Sequence, residues 1–179
     1  VRVLAKALVY ARTGLAQYRD EVRQACMAVM GTEQNGETLA LGRKLAAYVI
    51  AADLVGLPPE EDATFRAWLQ SVLRDTLQDN RSLQMAHEER PNNWGTHCGA
   101  SRAAIAAYLN DKSELARAAL VFRGWLGNRN LYADFSYGEG SWQADSTAPV
   151  GINPLGAMMN GHSVDGVLPV EPDPVPEPP

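Results

Sequence analysis

Cysteine is scarce in this chain: Cys26 and Cys98 are the only two among 179 residues. No Cys-x-x-Cys spacing exists, so the usual thiolate zinc site has no ligand set, and no metal site is expected. Cys26 lies in an apolar helical context, and both thiols are expected to be unpaired, inert small hydrophobes. Long apolar runs are also missing; none approaches the roughly 18 residues that a membrane span needs. Positive charge is in deficit, with 16 Lys and Arg against 21 Asp and Glu, a net charge of -5. A nucleic-acid binder normally presents a basic field, so that class is disfavoured. Strand signals are nearly absent. The first residue is Val1 rather than Met, and no signal peptide precedes it. The chain is therefore expected to be processed or cut from something longer, and its start does not reveal a compartment.

What is present suits one soluble domain with a real core. The apolar fraction is 46% and the mean hydropathy is -0.23, both ordinary for a globular protein. The first two-thirds of the chain predicts helix after helix. Residues 2–12 and 16–30 form a pair split by Thr13-Gly14, with Gly31 closing the second. Over 38–55 the apolar positions Leu41, Leu45, Tyr48, Ala52 and Val55 step by four and three, the period of one helix face. Gly56 and Leu57-Pro58-Pro59 end that helix. Pro59 with Glu60, Glu61 and Asp62 opens a fourth, carrying Phe65, Leu69 and Val72 to about Leu77. Residues 78–95 are polar and irregular, and a fifth helix is expected from about Thr96 to Leu109. Asp111 with Glu114 resembles a capping box before a sixth, lined by Leu115, Ala119, Phe122 and Leu126. Short connections make neighbours antiparallel, so 1–127 predicts an all-α array of helical hairpins.

From Asn128 the pattern changes. Residues 128–169 form a long irregular region rich in Gly, Asn, Ser and aromatics, expected to pack on the helical array. Loops of that length in a compact domain are uncommon and often functional. Residues 170–179 hold five prolines and three acids. That tail can form neither a helix nor a central strand, and is expected to be an extended linker, with a further domain as its possible attachment.

Chemistry-bearing residues concentrate in Pro91-Asn92-Asn93-Trp94-Gly95-Thr96-His97, at the entrance of an Ala-rich helix. Asn93 is a candidate site amide, or it caps the fifth helix; Asn92 shapes the loop or contacts a ligand. His97, one turn beyond Asn93, is a candidate base or an ordinary helix histidine. Arg102 can clamp a carboxylate in a bidentate fork or pair with an acid of its own chain. Trp94 and Trp142 offer flat apolar faces to a sugar ring, or pack internally. Trp68 and Trp125 fall on helical faces and are expected in the core. Tyr48 sits on an apolar stripe, facing either the core or a cleft. His87, beside Glu88 and Glu89, is expected at a solvated helix end, and His162 in a loop. Tyr132 and Tyr137 are candidate acids in the irregular region.

The order of these segments resembles a known family. A Tyr-bearing Ala-rich helix is followed by Asn92-Asn93 opening another such helix, a further helix, then Asp165-Gly166-Val167-Leu168-Pro169. This is similar to the alginate lyase type of polysaccharide lyase, over most of residues 38–169. The resemblance implies part of an incomplete (α/α) toroid. In the family an Asn-Asn-His motif opens an inner helix, and Asp-Gly-x-Leu-Pro precedes an Arg and a Tyr. Here Trp94 stands in the His position, with His97 available to replace it, and Leu168-Pro169 is followed by Val170-Glu171-Pro172. Asn-Trp does resemble the motif of other toroid uronate lyases. The chain is thus expected to be a truncated or divergent member.

The implied reaction cleaves a 4-linked uronate by β-elimination. Removal of the weakly acidic C5 proton leaves charge on the adjacent carboxylate, which an amide or Arg stabilises. His or Tyr takes the proton, and a Tyr can return one to the leaving oxygen. On this reading Asn93 and His97 are catalytic, Asn92, Trp94, Arg102, Tyr48 and Trp142 bind substrate, and no cofactor is needed. The partner is an anionic polysaccharide, with no nucleic acid and no membrane span, and the location periplasmic or secreted. The alternatives are a non-catalytic helical module binding carbohydrate or protein, and an inactive lyase fragment.

Overall fold

The computed structural model describes residues 2–136, 144–145, 147 and 151–166. Among them run seven helices: α1 Arg2–Thr13, α2 Ala16–Val29, α3 Thr38–Val55, α4 Pro59–Val72, α5 Leu83–Glu89, α6 Asn93–Leu109 and α7 Lys112–Trp125. The protein is all-α apart from a two-residue-per-strand hairpin, β1 Met158–Met159 and β2 His162–Ser163.

The helix ends follow from local chemistry. Gly56 closes α3 at φ 63, a conformation that a Cβ disfavours. Pro59 opens α4 with three acids in its first turn, where the dipole favours them. Ser82 caps α5 through Met85 N–H, and Asp111 caps α7 through Glu114 N–H. The start of α3 is capped from a distance. Asp79 accepts from both the backbone N–H and the hydroxyl of Thr38, at 3.0 and 2.8 Å.

α3 packs between α1 and α6, α2 lies against α1 and α3, and α5 and α7 lie against α6. The α3–α6 seam is close and parallel, because successive contacts climb both helices together. Cys98 Sγ donates to Thr38 O at 3.8 Å. One turn on, Ser101 Oγ donates to Gly42 O at 2.8 Å and accepts from Ala46 N–H at 3.0 Å. The core gathers Leu45, Val49, Phe65, Leu69, Leu83 and Ile105 from α3 to α6. Arg23 of α2 grips Glu61 of α4 at 2.8 Å, and Tyr108 of α6 donates to Asp62 of α4 at 2.5 Å.

Several expectations need correction. The polar stretch 78–95 contains α5, whose Leu83 and Ala86 are fully buried. α4 stops at Val72 rather than Leu77, and α6 begins at Asn93, three residues earlier than expected. The hairpin also escaped sequence reading. Its turn, Asn160-Gly161, has positive φ at both residues, 49 and 80, as a type I′ turn requires. Two-residue strands are too short to show alternation.

Candidate functional site

The entrance of α6 is built by Asn92. This buried residue accepts the Trp94 N–H on Oδ1 at 3.1 Å and is the N-cap. The capping role open to Asn93 is therefore filled by its neighbour. Asn93 is half-buried, and its Oδ1 is enclosed without a hydrogen-bond partner among the described residues. A buried amide oxygen left unpaired is costly, which makes it notable. His97 is exposed one turn further along the same face of α6. Trp94 is half-buried, and the Arg90 guanidinium stands 5.3 Å from its ring centre.

Arg102 lies deeper. It is fully enclosed, and its Nε donates to Glu114 at 2.5 Å and its Nη1 to Glu88 at 2.8 Å. This is the intramolecular ion-pair alternative. Its Nη2 has no partner among the described residues. Glu88 is also gripped by Arg117 at 2.7 Å, and the two guanidinium groups hold its carboxyl below the usual range. The Arg117 guanidinium lies over the Tyr132 ring at 5.0 Å.

His87 is corrected from a solvated helix end to a buried residue of this network. Its ring lies against α6 at Gly99, where a Cβ would fall 2.6 Å from Nε2. Its Nδ1 is 3.3 Å from Arg102 Nη1. Burial, with Arg102 nearby, pushes its pKa down to about 4.

The remaining candidates scatter. Tyr48 lines a separate hollow of about 280 Å³ with Thr32, Glu33 and Lys44, and its carbonyl faces Cys26 of α2. The structure does not bring it to the Asn93–His97 face. Tyr132 is buried and donates to Glu88 O at 2.6 Å; burial raises its phenol to about 12. His162 is exposed on β2. Trp68 donates to Glu33 at 3.0 Å while packing on the core, and Trp125 donates to Pro91 O at 2.7 Å. Trp142 and Tyr137 lie outside the described residues. Both thiols are buried and free, and burial raises each to about 12, so neither is a nucleophile.

Sequence reasoning missed Arg43, Arg90 and the Glu88–Arg117 pair. Arg43 follows Gly42, the α3 residue against Cys98, and it is exposed beside the seam. Its signal was its place one step from a glycine on an Ala-rich helix. No group of His, Cys, Asp and Glu that could hold a metal occurs among the described residues. No described helix is long and apolar enough to cross a membrane.

Comparison with curated proteins and with solved structures gave no match. A family model described as alginate lyase matches residues 2–134. That span takes in all seven helices, the Asn92 cap and the His97 face, so the chain belongs to the alginate lyase family, a polysaccharide lyase-like fold family of helical hairpins.

Proposed function

We propose that this protein acts on a uronate-containing polysaccharide of the alginate type by β-elimination, at the exposed face where α3 and α6 meet. The observation that carries the reading is the Asn93 amide, enclosed with an unsatisfied Oδ1 and followed one turn later by the exposed imidazole of His97. Asn93 is only half-buried, so while its oxygen is enclosed its amide N–H side can serve as a donor to the uronate carboxylate. In the reaction that donor meets charge developing as the C5 proton leaves. His97, exposed on the same face, takes the proton as general base. The C5–H electrons form the C4=C5 bond as the C4–O bond breaks; its electron pair leaves on the glycosidic oxygen, which takes a proton from the protonated His97 or from solvent.

Arg43 supports the same face. It and His97 neighbour Gly42 and Cys98, which touch across the seam, so helical register brings both out beside that line. A cation there offsets the overall acidity, because screening limits charge effects to about 8 Å at physiological salt. Asn92 positions this face as the cap, and Trp94 offers its indole edge. Trp142 remains a candidate sugar platform in this reading, and Arg102 and Tyr48 act through packing. Catalysis here needs no cofactor or metal. A periplasmic or secreted location accompanies it, with the Pro-rich 170–179 segment as a link to a further domain.

The test is polyuronate turnover followed by the ultraviolet absorbance of the new C4=C5 double bond. Activity lost by about 100-fold in His97→Ala, with folding intact, supports the assignment. Binding without turnover across a panel of polyuronates would move the protein to the non-catalytic carbohydrate-binding reading.

A further inference from the structure

On the flank of α6 turned away from α3, a second site opens. A cleft of about 380 Å³ lies between α6, α7 and Phe135. That volume is within the range of small-molecule pockets. Its wall is apolar: Leu115, Phe122 and Trp125 come from α7. Phe122 and Trp125 stack with ring centres 5.8 Å apart and planes 23° from parallel, forming a flat slab. Phe122 is 51% exposed and Leu115 42% exposed, large hydrocarbon surfaces left in water.

The floor is glycine. A Cβ at Gly99 would strike the His87 ring, and one at Gly95 would strike Arg90 O, so larger residues would close the cleft or displace α5. The absence of those side chains lets His87 reach it. Arg102 can only donate, so the Nδ1 it meets must accept, and the His87 proton sits on Nε2. The second charged or titratable lining residue is Arg90. Its guanidinium lies over Trp94 and has no ion-pair partner among the described residues. Arg90 lies at the rim with its guanidinium over Trp94, from where its long side chain can turn to an occupant, His87 lies at the glycine floor, and no Asp or Glu lines the cleft among the described residues. An occupant must bring an apolar body and an acceptor, best an anionic one.

We propose that this cleft binds a small amphipathic carboxylate, with its hydrocarbon or aromatic body on Leu115, Phe122 and Trp125 and its carboxylate directed to Arg90 and His87. A uronate sugar does not fit this demand, since its hydroxyls would be buried against hydrocarbon without partners. The site is therefore distinct from the α3–α6 face and does not rest on lyase activity.

The experiment titrates the full chain with 2-naphthoate, decanoate and the neutral 2-naphthamide, read by calorimetry and by amide chemical shifts. The carboxylates are expected to bind about tenfold tighter than the amide, a difference of about 1.4 kcal/mol, with shifts centred on α6 and α7. Arg90→Gln should erase that tenfold preference and leave 2-naphthamide binding unchanged. Ala103→Phe should fill the cleft and abolish both, with the thermal melt confirming that each variant is folded. Equal affinity for acid and amide overturns the proposal, as does an Arg90→Gln variant with unchanged naphthoate binding. A dimer in sedimentation that Phe122→Glu dissociates also overturns it, since a second copy would then occupy the groove.

Discussion

The Nδ1 of His87 lies 3.3 Å from Arg102 Nη1 in the protein interior. A guanidinium has only protons to offer, so this contact holds the imidazole neutral and fixes its tautomer. Burial reinforces the effect, and the His87 pKa falls from 6.5 to about 4.

That depression has a consequence for acid stability. Between the unfolded value and about pH 4 the unfolded chain binds a proton that the folded one refuses. Stability is then unaffected by His87 above about pH 6.5, falls as pH drops, and reaches its full penalty below about pH 4. The whole shift corresponds to about 3 kcal/mol. Arg102 and Arg117 push the same way, and Glu88 opposes them. Glu88, held below the ordinary carboxylate range, adds its own loss at lower pH. Urea midpoints measured across about pH 4 to 7 should decline steeply in the parent and less steeply in His87→Gln. Parallel slopes in the two proteins would contradict the buried, neutral imidazole.

Arg102 can act as a substrate clamp or as an internal strut, and the two roles separate experimentally. The guanidinium is fully enclosed between Glu88 and Glu114. Breaking a buried pair by removing one partner costs about 3–5 kcal/mol, because the other charge stays behind. Arg102→Met should therefore lower stability by that amount in chemical denaturation. Arg102→Met with Glu114→Leu should recover part of the loss. A strut leaves KM for polyuronate unchanged in whatever fraction stays folded, whereas a clamp raises KM.

The helices were legible because their signals are local. The period of Leu41, Leu45, Tyr48, Ala52 and Val55, and the Asp111 cap, sit within single turns of chain. α5 was not, since one short turn of Leu83 and Ala86 lies among Glu88, Glu89 and Arg90, and its burial depends on α6. The His87 environment was misread for the same reason. Its partner is fifteen residues away and on another helix. The site motif was visible as residue types, and the structure divided the labour within it: Asn92 caps, Asn93 is left with an unsatisfied oxygen. Arg43 and Arg90 became visible only once neighbouring helices placed them.

The α3–α6 seam supplies the last prediction, because two opposing effects can be weighed there. Gly42→Ala adds a residue with better helix propensity, a gain of about 1 kcal/mol in an exposed helix. Gly42, however, is buried against Cys98. The new methyl would lie 2.8 Å from Cys98 Sγ, 3.1 Å from its N and 3.2 Å from its Cα. The sulfur contact can be relieved by moving or trimming the side chain. The two backbone contacts cannot, so the helices must separate, at an overpacking cost of about 1–3 kcal/mol. Ser101 magnifies the cost, since its hydroxyl bridges Gly42 O and Ala46 N–H at 2.8 and 3.0 Å and loses both if the seam widens. Steric strain should therefore outweigh propensity, and Gly42→Ala should be less stable than the parent. Adding Cys98→Ala should restore only part of the loss. Because Arg43 and His97 flank this seam on neighbouring helices, the proposed lyase activity should fall further than the folded fraction does. If Gly42→Ala is as stable as the parent and equally active, the close parallel packing of α3 on α6 is not what sets the geometry of that face.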